Sequence, residues 1–214
     1  IERHTDNLVI FGGINPKNAQ VSMGGTTEHG TEGWFKRFAK GEKYMVSVSP
    51  QRDDSPPETT WLPIEPGTDT ALMLALAYVL ETEGHCDRAF LESHCTGYEV
   101  FLPYILGHTD GTPKTPDWAA SICDISADNI RSLARRMASG RTLICVSWSL
   151  QRAHHGEQPY WMATTLASML GQIGLPGGGI GFGLIGIHIK SIQKTHFGWS
   201  KVCSKLDKEC SSKC

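Results

Sequence analysis

The chain has 214 residues, 40% of them hydrophobic and 20% charged, with 23 glycines and a formal net charge of −2. That length holds one globular domain with a sizeable core, and glycine enrichment without any period excludes a collagen-like or low-complexity chain. Charge is uneven: residues 184–214 hold six Lys against two acidic residues, which leaves residues 1–183 at −6, an acidic body that argues against a nucleic-acid partner.

Asn7 to Phe11 is a short apolar run that breaks into Gly12-Gly13-Ile14-Asn15-Pro16, the pattern of a buried strand ending in a glycine-rich turn. A helix follows over Gly33–Lys40, with Trp34, Phe35 and Phe38 on one face. Tyr44–Ser49 reads as a second strand that stops at Pro50, and Gln51–Thr60 as a polar loop. Trp61–Ile64 is a third, short strand. Thr70–Glu83 is apolar nearly all round, which marks a helix buried against a sheet, with Thr68 or Asp69 as its cap. Helices are expected at Asp87–His94, Tyr98–Leu106, Asp117–Cys123 and Ser126–Ala138, the last capped by Ser126 and closed by Gly140. Thr142–Ser147 is a fourth strand, Pro159–Gly171 another apolar helix, and Leu175–Gly179 a loop.

Strands alternating with helices predict an α/β domain: a parallel sheet with helices on both faces. Ligands of such sheets sit beyond the carboxyl ends of the strands, where the turns at 12–18, 47–54, 65–69 and 147–152 all fall. Gly12 and Gly13 allow close backbone approach to phosphate oxygens, or serve a plain tight turn; the dinucleotide fingerprint G-x-G-x-x-G is absent, which weighs against a nicotinamide-dependent dehydrogenase. Asp69 accepts two hydrogen bonds from the amidine edge of a guanine, or caps its helix. Trp148 and Arg152, four apart, stack on a ring and bind an anion, or form packing and a surface ion pair. Cys86, Cys95, Cys123 and Cys145 form no C-x-x-C pair, and His154-His155 has poor geometry for one metal, so no metal ligand is expected here. No apolar run reaches 18 residues, so no membrane span is expected, and the chain opens on Ile with no leader, placing any export signal outside it.

Five segments in order carry a family resemblance: Phe11 to Asn18, Ser47 to Asp54, Pro66 to Leu72, Trp148 to Arg152 with Gly156-Glu157-Gln158, and Leu170 to Gly179. Together they resemble the molybdopterin guanine dinucleotide oxidoreductases of the dimethyl sulfoxide reductase type, nearest the biotin sulfoxide and trimethylamine N-oxide reductases. The resemblance implies an internal piece of a longer bacterial enzyme carrying bis(molybdopterin guanine dinucleotide) molybdenum, with two-electron reduction and oxygen-atom transfer from an S-oxide or N-oxide. It implies a separate electron donor, and a compartment in the bacterial periplasm or cytoplasm, the periplasm favoured. It implies that residues 1–183 hold one guanosine diphosphate arm, lined by Ile14, Asn15, Val48, Ser49, Gly67, Thr68, Asp69, Trp148, Ser149 and Arg152, with Arg152 nearest the substrate funnel and catalytic. The serine that ligates molybdenum in that subgroup is expected upstream of residue 1. Ser49 replaces the Asp or Asn of many relatives, and after Gly183 the likeness stops, so residues 184–214 are expected to lie outside the fold. The alternative reading is a stand-alone or inactive nucleotide-binding module without catalysis of its own.

Overall fold

A computed structural model describes residues 1–15, 17, 31–41 and 43–182; the expected tail at 184–214, with Cys203, Cys210 and Cys214, lies outside them, as do Pro16 and Asn18 of the first turn. Five parallel strands run β1 (Asn7–Phe11), β2 (Tyr44–Val48), β3 (Thr60–Leu62), β4 (Thr142–Val146) and β5 (Gly179–Phe182). Their spatial order is β3-β2-β1-β4-β5, so the chain steps outward from β1 in one direction and then crosses back to its other side. That reversal creates a crevice between the carboxyl ends of β1 and β4.

The strands alternate as the period of two requires. Val9, Phe11, Val46, Val48, Ile144 and Val146 face one core, while Leu8, Ile10, Met45, Leu143 and Cys145 face the other. The first core is covered by six helices: α2 (Asp69–Thr82), α3 (Arg88–His94), α4 (Tyr98–Ile105), α5 (Pro116–Cys123), α6 (Ala127–Ala138) and α7 (Gln158–Met169). The second is covered among the described residues by α1 (Thr31–Ala39), whose Phe35 and Phe38 are buried against the strands while Trp34 stacks on Phe38. Both faces therefore carry helices, as the sequence predicts, though very unequally.

The apolar circumference of α2 is explained by its neighbours, since it packs against α4, α5, α6 and α7 as well as lying over the sheet. Leu72, Met73, Leu76 and Leu80 are among the largest fully buried side chains, and each stabilises the fold by roughly 1.5–3 kcal/mol relative to exposure. Ser126 caps α6 as expected, accepting from the Asn129 N–H at 3.3 Å.

Two local expectations are corrected. Gly179 begins strand β5 instead of closing a loop; a four-residue G-I-G-F segment has too little apolar alternation to stand out, and pairing with β4 makes it a strand. The cap of α2 is also not a side-chain cap. Thr68 occupies the capping position but donates its hydroxyl to the Glu65 carbonyl at 2.7 Å, and Asp69 sits inside the first turn.

Candidate functional site

The turns at the carboxyl edge interlock. Gly12 donates its N–H to the Val48 carbonyl at 2.9 Å, and the Ser147 N–H bonds the Phe11 carbonyl at 2.9 Å, so the turns after β1, β2 and β4 are held in one layer. The Gly12 carbonyl accepts the hydroxyls of both Ser147 and Ser149, at 2.9 and 3.0 Å. Because a trans peptide points its C=O and N–H in opposite directions, this aims the Gly13 N–H away from those hydroxyls. Both glycines are left-handed, φ +82° and +73°. A Cβ on Gly12 would lie 2.4 Å from the Ser147 hydroxyl, and one on Gly13 would lie 2.7 Å from the Asp54 carbonyl. The glycine pair is thus demanded by the protein's own contacts, whatever it binds.

Asp54 organises the rest of the first turn. Its carbonyl accepts the Ile14 N–H at 2.6 Å and its carboxylate the Asn15 amide at 3.0 Å. No local pattern hints at this, since the partners are 39 residues apart. Ile14 is buried in the smaller core, and Val48 lies within β2 with its side chain in the larger one, so the Val48 side chain packs beneath the turns of this edge. Ser49 is buried, its carbonyl accepting the Trp61 indole N–H at 2.8 Å. Ser149 has its hydroxyl on Gly12, which makes it a strut between turns.

Asp69 differs from all of these. It is 4% exposed, and its Oδ1 is buried with no hydrogen-bond partner. Burial pushes its carboxyl up to about 6, offset only in part by its own backbone N–H. An unpartnered buried carboxylate oxygen costs free energy and calls for a donor. Gly67, two residues before it, has φ +81° and open space where a Cβ would stand, and Thr68 is half-buried beside it. Asp69 and Trp148 share the carboxyl edge, because each follows a parallel strand; β2 and β1 separate their strands, about 14 Å at the usual strand spacing.

At the other end of this edge Trp148 is 51% exposed, and Arg152 ends a short 3-10 turn, Leu150–Arg152. They border an open cleft of about 550 Å³ with Gln151, Glu157, Tyr160, Trp161 and Phe182. No hydrogen bond or ion pair holds the Arg152 guanidinium among the described residues. Tyr160, Trp161 and Phe182 reach the cleft only through the tertiary fold, and no motif marked them. Cys86 and Cys95 are half-buried free thiols, Cys123 and Cys145 buried ones. Burial pushes the thiols of Cys86 and Cys145 up to about 12, too high to supply a nucleophilic thiolate.

Strand order, switch-point crevice and edge turns define a doubly wound α/β domain. Residues 4–196 match the family described as Molybdopterin oxidoreductase, and the chain belongs to that family. The match runs beyond Gly183, the expected end of the domain. The chain is 45% identical over 185 residues to a biotin sulfoxide reductase of Cereibacter sphaeroides, covering 86% of this chain and 25% of that protein. It is 46% identical over 187 residues to a trimethylamine-N-oxide reductase of Vibrio cholerae, covering 84% of this chain and 23% of the relative. It therefore spans about a quarter of the length of these relatives. Acetylene hydratase from Pelobacter acetylenicus shares the fold, with a TM-score of 0.61 at 20% identity over 80% of this chain and 22% of that one. No helix among the described residues is long and apolar enough to cross a membrane.

Proposed function

We propose that this chain holds one guanosine diphosphate arm of a bis(molybdopterin guanine dinucleotide) molybdenum cofactor, within a bacterial enzyme that reduces S-oxides or N-oxides such as trimethylamine N-oxide, biotin sulfoxide or dimethyl sulfoxide. The observation that carries the reading is the buried, unpartnered Oδ1 of Asp69 at the edge where such a ligand would lie. The residues present fit that arm. A guanine offers two N–H donors on its amidine edge, the donor set that an ionised, desolvated carboxylate lacks here. Asn15 and Gly13 supply amides toward the phosphates, Gly67 leaves room beside the base, and Trp148 offers a ring face.

When bound, the molybdenum cofactor supplies the two-electron chemistry that takes the oxygen atom from the oxide. The residues of this chain do other work. Asp69 selects the base, the 12–15 and 47–54 turns hold the arm in register, and Arg152, a permanent cation with no hydrogen-bond or ion-pair partner among the described residues, steers and orients the polar S–O or N–O group at the cleft.

The test uses the full-length enzyme, measuring molybdenum per protein alongside turnover per molybdenum. Asp69→Ala removes charge-assisted hydrogen bonds worth about 1.5–3 kcal/mol, so cofactor retention falls by roughly one to two orders of magnitude while turnover per bound molybdenum is kept. Arg152→Lys keeps charge but loses the planar fork, so turnover falls while molybdenum content stays. If the two variants behave alike the roles are misassigned, and wild-type behaviour in both would remove these turns from the cofactor site.

A further inference from the structure

Among the described residues the exposed Arg152 side chain has no hydrogen-bond or ion-pair partner, so its aim depends on how firmly the backbone of the 147–152 turn is held. Within the turn the bonds are modest: the Leu150 N–H reaches the Ser147 carbonyl at 3.4 Å and the Arg152 N–H reaches the Ser149 carbonyl at 3.1 Å. One side chain from another element bonds this backbone among the described residues. Tyr160, in the first turn of α7, donates its hydroxyl to the Ser147 carbonyl at 2.8 Å. Its ring is fixed independently, stacked on Phe182 of β5 with centroids 5.5 Å apart and planes 7° from parallel. Burial pushes the Tyr160 hydroxyl above its ordinary range, so it remains a donor at any working pH. Ser147 passes the constraint on, through its N–H to Phe11 and its hydroxyl to Gly12.

We propose that Tyr160 is a positioning residue: its hydroxyl, braced by the Phe182 ring, sets the pitch of the 147–152 turn and so the aim of Trp148 and Arg152 across the cleft. The consequence for oxide binding rests on the reading of Arg152 above; the hold on the turn does not. Helix α7 packs against α2 and α3 and against β4 and β5, so Tyr160 ties the exposed turn to a helix held in the core.

Tyr160→Phe keeps the ring and its stacking and deletes only the hydroxyl. In the full-length enzyme, hydrogen exchange of the segment 148–152 is expected to quicken about tenfold, the loss of one ordinary hydrogen bond, while Leu166–Met169 in the core of α7 is unchanged. KM for trimethylamine N-oxide is expected to rise about fivefold with kcat within twofold and molybdenum per protein unaltered. Combining Tyr160→Phe with Arg152→Lys is expected to add little to the loss from Arg152→Lys alone, because both act through one side chain. Unchanged exchange at 148–152, or exchange that quickens equally throughout α7, overturns the proposal, as do losses in kcat/KM that simply multiply. A silent Arg152→Lys beside faster exchange in Tyr160→Phe would remove the assignment of Arg152 and keep that of Tyr160.

Discussion

The two ends of the sheet's carboxyl edge are built in opposite ways. At the β3 end Asp69 is sealed into the first turn of α2, 4% exposed and short of a partner. At the β4 end Trp148 is 51% exposed and Arg152 borders an open cleft. On the proposed reading burial gives the first end strength and selectivity, because a lone carboxylate in a low-dielectric site discriminates sharply between a ligand that brings donors and one that does not. Exposure gives the second end reach toward groups beyond this segment, and its order must come from the backbone. The middle of the edge, where hydroxyls of Ser147 and Ser149 meet on Gly12, lies between the two.

The strongest way to break this picture is to strike that junction. Gly12→Ala places a methyl 2.4 Å from the Ser147 hydroxyl at φ +82°. The left-handed penalty and the displaced hydroxyls together are expected to cost about 2–4 kcal/mol, read as a lower denaturation midpoint. The damage should appear as faster exchange in the turn after β4, with the Asp69 titration unmoved; a shift in that titration would mean the two ends are not separate.

Next is the pH dependence of the buried end. The Asp69 carboxyl titrates near 6 in the folded protein against about 3.9 unfolded. Below pH 4 both states are protonated and the group is neutral to stability. As pH rises from about 4 to 6 the unfolded chain ionises first, so stability without cofactor falls by roughly 2–3 kcal/mol and stays lowered above pH 6. Asp69→Asn should abolish that slope and leave the cofactor-free protein more stable at pH 7 than the wild type. Guanine donors favour the ionised form, so cofactor binding should pull the titration below 6, and an Asp69 titration indifferent to cofactor would separate the residue from the base.

Smaller effects sharpen the contrast. Thr68→Ala should cost under about 0.5 kcal/mol, since its hydroxyl makes no cap bond to α2, whereas Ser126→Ala should cost about 1 kcal/mol through the lost cap on α6. Trp148→Ala, at an exposed position, should leave unfolding within about 0.5 kcal/mol of wild type, while in the full enzyme it weakens whatever stacks on the indole. A large loss of stability from Trp148→Ala would show that the open end is part of the core after all.

By itself the sequence determined the parallel α/β class, four of the five strands and the seven helices of the described residues to within a few residues, and the family. Those features rest on local periodicity and on short motifs, and both are written into neighbouring residues: the four apolar residues Leu8 to Phe11 before Gly12-Gly13, the all-round apolar α2, Ser126 ahead of α6. Tertiary structure alone decided the order β3-β2-β1-β4-β5, the unequal covering of the two faces, and the pairing that makes β5 a strand. It also decided where each candidate site residue is placed and what it touches. Asp54 meets Asn15 across 39 residues, Ser149 meets Gly12 across 137, and Val48 turns into the core because alternation along β2 sends it there. Whether Asp69 caps a helix or waits, unpartnered, for a donor depends on which polar groups surround a buried oxygen, and that is a property of packing in three dimensions that no spacing along the chain encodes.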